Sequence, residues 1–277
     1  PKRKDSVYKE ELASAGISFK LAHALIKRCR ENSQKEGGEA IPWQAVELKD
    51  LLDFAAVGTV ADMVPLVGEN RILVRAGIER LGRSIHPGLR ILKDLASSGG
   101  VLTATDIAFR IAPRLNANGR LSDAQDSLAL LRTFSETEAM ALAQKLQQEN
   151  QRRQAIEKQT TEEAIALVRS RREFQNDKIL VLYQPQWHIG VVGIVAAKIV
   201  KEFGKPAVVI GLEAGAGKGS ARSVEGFNIA EALAAAKADL VACGGHAQAA
   251  GLTIEPARVE AFRKGINDYA RKAMTGV

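Results

Sequence analysis

A chain of 277 residues with 46% hydrophobic content is long enough for two domains, each with a sizeable core. Its 39 Lys and Arg outnumber 32 Asp and Glu, and the formal charge of +7 favours a polyanionic partner without naming one. The apolar runs, such as Val191 to Val200, are too short or too interrupted to span a bilayer, no secretory leader is recognisable, and Cys29 and Cys243 lack metal or redox spacing. Membrane and disulfide-rich secreted classes are therefore not expected, and a reducing cytoplasm is. Pro1-Lys2-Arg3-Lys4 reads as a solvated basic end or the flank of a preceding piece, so the chain is expected to be an internal stretch of a longer protein.

To about Phe134 the pattern is mostly helical. Helices are predicted over Glu10 to Arg30, with a break at Gly16, and over Gln44 to Ala56, with Glu36-Gly37-Gly38-Glu39 as a polar loop between them. A third is predicted over Asn70 to Leu81, capped by Asn70 and stopped by Gly82. From Ser135 to Arg172 there is neither Pro nor Gly, and Ser135 with Glu138 has capping-box spacing. One helix over that span would extend about 55 Å at roughly 1.5 Å per residue. Its ends are apolar-periodic and its middle, Gln147 to Gln154, is polar all round, which suits a connector between domains; two helices with an unmarked break fit the same pattern.

After Asn176-Asp177 strands and helices alternate. Ile179 to Tyr183 and Ala207 to Ile210 read as buried strands flanking a helix over Gly190 to Phe203, a βαβ unit with a parallel pair. A helix over Asn228 to Ala238, a short strand at Leu252 to Ile254 and a closing helix over Pro256 to Lys272 complete an α/β second domain. The predicted organisation is thus residues 1–134, 135–175 and 176–277.

Two glycine-rich segments of that second domain suit an anionic ligand. Gly244-Gly245-His246-Ala247-Gln248-Ala249-Ala250-Gly251 lets a ligand approach the main chain, and Gly217-Lys218-Gly219-Ser220-Ala221-Arg222-Ser223 adds two cations and two hydroxyls; both are predicted as loops. A turn packed tightly on a sheet explains the first segment nearly as well. The second fails as a nucleotide-binding P-loop, because Gly217-Lys218 is followed by Gly219 instead of Ser or Thr. Trp187-His188 before a helix start suits either a stacked base or simple core packing. Pro113-Arg114-Leu115-Asn116-Ala117-Asn118-Gly119-Arg120, predicted as a loop, offers two guanidinium forks of the kind that match phosphate oxygens. Asp62, at the end of the apolar run Ala55 to Ala61, is either a turn residue or an oxygen donor for a hard divalent cation, and no companion ligand set is visible.

Taken together, Gly58-Thr59-Val60-Ala61-Asp62-Met63-Val64-Pro65-Leu66, Pro113 to Arg120, Trp187-His188-Ile189-Gly190-Val191-Val192-Gly193, Gly219 to Ser223 and Gly244 to Gly251 resemble, in order and spacing, the RecJ branch of the DHH phosphoesterase superfamily. The resemblance implies a metal-dependent exonuclease that degrades single-stranded DNA from the 5′ end in repair and recombination. It implies that Asp62 and His246 are catalytic, with Asp62 also a ligand in a site holding two manganese or magnesium ions. It further implies that Arg114, Asn116, Arg120, Ser220, Arg222, Ser223, Gly244, Gly245 and His246 contact phosphates. The first 134 residues would be a helical remnant of the catalytic domain, the long helix its connector, and the rest the DHH-associated domain. The Asp-His-His motif that names the superfamily is not in this sequence, so this chain alone is expected to be inactive. Expected partners are single-stranded DNA and a single-strand-binding protein, without a membrane. A phosphoesterase acting on short oligonucleotides or cyclic dinucleotides, and a non-catalytic nucleic-acid-binding module, are the alternatives.

Overall fold

A computed structural model describes residues 11–36, 46–96 and 101–274. The basic tract at the start, most of the Glu36–Glu39 segment and the first residues of the helices predicted from Glu10 and Gln44 lie outside them. The chain divides into two compact units, Pro1–Asn150 and Gln151–Val277.

The first unit is helical: α1 (Ser14–Glu36), α2 (Leu52–Ala61) behind a 3-10 turn at Leu48–Leu51, α3 (Gly68–Leu81), α4 (Pro87–Ala96), α5 (Ala104–Asp106), α6 (Ala112–Leu121), α7 (Gln125–Arg132) and the first part of α8 (Glu136–Ser170). Val57, Val60, Val74, Leu81, Leu89, Leu92, Ile107, Ile111, Leu130 and Leu146 form its core. Contact between α2 and α3 is possible because position 77 has no side chain. A Cβ there would lie 2.2 Å from the Leu52 carbonyl oxygen and 2.4 Å from Ala56 Cβ.

Several expectations are corrected here. Helix α1 continues through Gly16, which is buried within it, so that glycine does not break the helix. Asn70 is not a cap: Val67 holds that place in an extended conformation, while the buried Asn70 amide donates to the carbonyls of Glu11 (2.7 Å) and Pro65 (3.0 Å). Pro113 to Arg120 is not a loop but lies in α6. Proline is tolerated near a helix start, where its missing N–H would have had no partner, and the turn before it, Ile107–Ile111, widens into a π-helix.

Helix α8 is unbroken over its 35 residues. Its start is half of a capping box: Ser135 Oγ accepts from the Glu138 N–H (3.3 Å), but the Glu138 carboxylate accepts from the Thr133 hydroxyl, and the Ser135 N–H turns to Thr133 Oγ1 (3.1 Å). The boundary between the two units falls within this helix, at Asn150.

The second unit is built on a five-stranded mixed sheet, β1 (Leu180–Tyr183), β2 (Ala207–Glu213), β3 (Ala216–Arg222), β4 (Ala242–His246) and β5 (Ala249–Ile254), in the order β1-β2-β3-β5-β4. A short helix α9 (Glu173–Asn176) precedes it, α10 (Ile189–Phe203) joins β1 to β2, and α11 (Ile229–Ala235) and α12 (Val259–Ala273) follow later. Strands β1 and β2 are parallel, as a βαβ unit requires, and the other three pairings are antiparallel. Alternation divides the buried residues of β1 and β2 between two cores. Ile179, Val181, Val208 and Ile210 pack with Leu233, Phe262 and Ile266, whereas Leu180, Leu182, Ala207 and Val209 pack with Val191, Val195 and Ile199 of α10. Burial on both faces explains why these two strands read as continuous apolar runs.

Of the two glycine-rich segments predicted as loops, Gly217 to Arg222 lies in strand β3, and Gly244 to Gly251 is a hairpin of β4 and β5 with a turn only at Ala247–Gln248. Gly217 and Gly219 face Ile210, Leu252 and Ile254, whose side chains would stand 2.9–3.3 Å from any Cβ added there. Those neighbours fill the space that the glycines leave. The chain reverses between β2 and β3 through Ala214 (φ +49°) and Gly215 (φ +83°), the two successive positive φ values of a tight hairpin. The helix predicted over Asn228 to Ala238 begins as expected, with Asn228 Oδ1 accepting from the N–H groups of Ala230 and Glu231, but it ends at Ala235 and gives way to a 3-10 turn.

At the sheet edge, Asn267 of α12 replaces a missing strand. Its Oδ1 accepts from the N–H groups of Lys178 (2.7 Å) and Ile179 (3.0 Å), and its Nδ2 donates to the carbonyls of Ile179 and Arg263 (3.0 Å each). Nearby, Arg263 lies over the Phe174 ring at 4.6 Å and donates to Asp177 Oδ2 at 2.8 Å. Burial pulls its pKa down, but the carboxylates of Asp177, Glu173 and Glu260 more than reverse this.

Two substitutions test this packing. Gly77→Ala is expected to destabilise the first unit by about 1–3 kcal/mol through overpacking. Asn267→Ala, which leaves the buried Ile179 N–H and the partly buried Lys178 N–H unpaired, is expected to lower stability by about 1–3 kcal/mol. Denaturant unfolding measures both; wild-type midpoints would contradict the contacts described.

Candidate phosphate-binding site

Register fixes which groups share a face of the sheet. Ala221 points into the core under α11 and α12, so Lys218, Ser220 and Arg222 point to the opposite face, the one that α10 covers over β1 and β2. Continuing the rows across β5 and β4, Ser220 lies beside Gly251 and then Gly244, Arg222 beside Ala249 and then His246, and Lys218 beside Thr253 and then Ala242. The outer part of that face therefore carries almost no side-chain bulk. A Cβ at Gly244 would meet nothing within 4 Å, and one at Gly251 only the Gly219 carbonyl oxygen at 3.9 Å. Gly244, Gly245, His246 and Gly251 are exposed.

The inner rim of this bare strip is held closely against α10. At Gly193, a Cβ would lie 3.1 Å from Ser220 Oγ and 3.2 Å from Arg222 Nη2, so glycine there brings the helix up to both side chains. Arg222 Nη1 donates to Ser220 Oγ (2.8 Å) and to the Ala221 carbonyl (2.9 Å), which aims the guanidinium back along its strand toward the serine. The first turn of α10 is capped by His188, whose Nδ1 accepts from the Gly190 N–H at 3.0 Å. Trp187 is buried and donates from Nε1 to Glu163 Oε2 (2.8 Å), so it is a packing anchor, and the stacked base entertained from the sequence is not its role. Gly190 and Gly193, one turn apart, were the available signal for this close approach, but the turn of helix they open reads in sequence as ordinary apolar periodicity.

The hairpin bearing His246 is pinned from outside. The N–H of Ser223 donates to the Gln248 carbonyl and that of Ile229 to the Ala247 carbonyl, both at 3.0 Å. The Ser223 hydroxyl donates to the Phe227 carbonyl (2.6 Å), which stabilises the turn that leads into α11. Gly245 has φ +152°, and a Cβ there would lie 2.4 Å from Ala250 Cα, so no other residue fits.

The candidates of the first unit are placed as follows. Asp62 is exposed at the C-terminal end of α2, its N–H donating to the Gly58 carbonyl (3.1 Å), and Met63 after it takes a left-handed φ of +57° that turns the chain sharply. Among the described residues no three His, Cys, Asp or Glu side chains gather as a metal site. Arg114 is half-buried. Its guanidinium donates to Gln147 Oε1 (2.6 Å), to the Arg110 carbonyl and to the Leu95 carbonyl (3.5 Å), a clamp between helices. Burial and the neighbouring Arg110 charge hold its pKa below the usual arginine value. Asn116 and Arg120, four residues apart on α6, are both exposed and share a helix face.

Known proteins share the sequence and fold of this chain. Residues 176–272 match the DHHA1 domain family. The chain is 40% identical over 281 residues to the single-stranded-DNA-specific exonuclease RecJ of Bacillus subtilis, covering 99% of this chain but 33% of that protein. It superposes on a crystal structure of RecJ in complex with Mg2+ from Thermus thermophilus with a TM-score of 0.74 and 38% identity, over 81% of this chain and 35% of that one. On a crystal structure of exonuclease RecJ bound to manganese, the TM-score is 0.79 and the identity 35%, over 99% of this chain and 66% of that one. The chain thus spans 33% to 46% of the length of the curated relatives it matches. Over the segment it spans, the chain is similar to the RecJ exonucleases, and its residues 176–272 match the DHHA1 domain family.

Proposed function

We propose that the protein acts in the stepwise hydrolysis of single-stranded DNA from a 5′ end, as a cytoplasmic exonuclease of repair and recombination, and that the bare face of β3, β5 and β4 holds the strand. The observation that supports this is the row of Ser220 and Arg222 standing in register with Gly251, Gly244 and His246 on a face without bulk. An arginine fork matches two phosphate oxygens, the serine hydroxyl donates to a third, and glycine backbone admits the phosphate close to the sheet. At about 4.8 Å per strand, Arg222 and His246 stand roughly 10 Å apart across Ala249, a gap in which a phosphodiester fits between the two side chains. In this reading Arg222 fixes the phosphate, and His246 orients it and moves a proton at its leaving oxygen. Ser223 supports the turn beside them, and Asn116 and Arg120 grip the strand elsewhere. A single-strand-binding protein is the partner that such a substrate would bring.

Manganese or magnesium belongs to this reading because the neighbouring RecJ structures were solved with those ions. The described residues do not by themselves fit such a centre. We assign Asp62 as one carboxylate ligand, with the other donors outside the described residues. For the same reason we propose that this chain alone binds single strands without cleaving them.

Fluorescence anisotropy with a labelled oligothymidylate in EDTA tests the assignment. Wild-type chain is expected to bind in a salt-sensitive manner, and Arg222→Ala to weaken binding about tenfold or more with its thermal unfolding unchanged. Wild-type affinity in that variant would remove Arg222 from the site. Gly245→Ala, which forces a Cβ into Ala250, is expected to abolish binding by deforming the hairpin; retention of full affinity would show that His246 and its neighbours do not face the strand.

A further inference from the structure

Lys218 is a cation without an anionic counterpart among the described residues. It is half-buried in the middle of β3, yet among the described residues no carboxylate lies within ion-pair distance of its Nζ, which donates only to the Thr253 hydroxyl oxygen at 3.2 Å. Two buried cations of the same unit have carboxylate partners: Arg263 has Asp177 and Glu173, and Arg153 has Glu157. Lys205, which also has no carboxylate partner among the described residues, is bound by three backbone carbonyls. Lys218 has one hydroxyl. Partial removal from water without a counter-charge is unfavourable for an ammonium group, and methionine or leucine would fill the same place without that penalty.

Its position says what would offset this. Lys218 shares the face of Ser220 and Arg222, and the residues beside it, Thr253 and then Ala242, continue the bare strip made by Gly251 and Gly244 in the next row. Arg222 leans back to the Ser220 row through its bond to Ser220 Oγ, whereas Lys218 stays in its own row on Thr253. The two charges are thus one row apart, about 7 Å at roughly 3.4 Å per residue. One phosphate occupies one of these positions; a polynucleotide presents several in series.

We propose that Lys218, with Thr253, forms a second phosphate subsite that holds the neighbouring internucleotide phosphate of a strand whose adjacent phosphate sits at Ser220 and Arg222. This rests on the strand-binding reading of that face and adds to it a preference for chains over single nucleotides. Thr253 contributes its remaining hydroxyl proton, and the ammonium gains the counter-charge it lacks. Lys218 binds and aligns; it does not touch the reacting atoms.

The test compares a 5′-phosphorylated hexathymidylate with thymidine 5′-monophosphate, titrated in EDTA against the whole chain. Lys218→Gln keeps a donor for Thr253 and removes the charge. It is expected to weaken hexanucleotide binding about tenfold and to lower the slope of log affinity against log salt by about 0.7, one phosphate contact on a single strand. Monophosphate affinity should change less than about twofold, and Lys218→Arg should restore hexanucleotide binding. Unchanged hexanucleotide affinity and salt slope in Lys218→Gln would overturn the proposal, as would an equal loss for both ligands, which would place Lys218 at the Arg222 phosphate. Arg222→Ala separates the two levels. If it weakens both ligands while Lys218→Gln weakens neither, only the second subsite falls; if it weakens neither, the reading of the whole face falls.

Discussion

Helix α10 covers only part of one face of the sheet, and the character of the site follows from that limit. Over β1 and β2 the helix buries Leu180, Leu182 and Val209 against Val191, Val195 and Ile199, in a core that Ala164 and Val168 of α8, Phe174 and Trp187 complete. Over β3 it reaches Ser220 and Arg222 through Gly193 and goes no further. Beyond that, β5 and β4 present backbone and small side chains to the outside on this face, while their other face remains packed through Ala250, Leu252 and Ile254. The sheet is therefore rigid from behind and open in front. A ligand can approach the main chain without the structure having to rearrange first.

That asymmetry also decides what was legible in the sequence. Strands β1 and β2 are buried on both faces, so they appear as uninterrupted apolar runs and were readable with their helix and parallel pairing. Strands β3 and β4 are buried on one face at most, and their inward positions, Gly217, Gly219 and Ala221 in β3, are small because Ile210, Leu252 and Ile254 fill the space from neighbouring strands. No periodicity in Ala-Gly-Lys-Gly-Ser-Ala-Arg announces a strand, and glycine content argued for a loop. The residue types pointing to phosphate were visible; their arrangement in rows was not, because register is a property of pairing between distant segments.

In the first unit the same limit applied at shorter range. Pro113 and Gly119 suggested a loop around Arg114, but proline near a helix start and glycine near its end are both compatible with α6. Arg114, read as a phosphate fork, commits three of its five N–H groups to Gln147 and two backbone carbonyls. Asn70 looked like a cap and instead ties the Glu11 and Pro65 segments together from inside. Each of these polar residues performs a tertiary task that local spacing does not encode. The Asp62 carboxylate, by contrast, stands exposed just after a helix of buried apolar residues, as the sequence suggested, and the left-handed Met63 turns the chain away after it.

The account depends on the open face of β3, β5 and β4 being where a strand lies. Amide chemical-shift mapping of the chain with a short oligothymidylate tests this most directly. The account predicts the largest changes at Lys218, Ser220, Arg222, Gly244, Gly251 and Thr253, with α11 and α12 unaffected. Changes gathered on α11, α12 or the Phe174–Arg263 side of the sheet, with the β3 row silent, would contradict it.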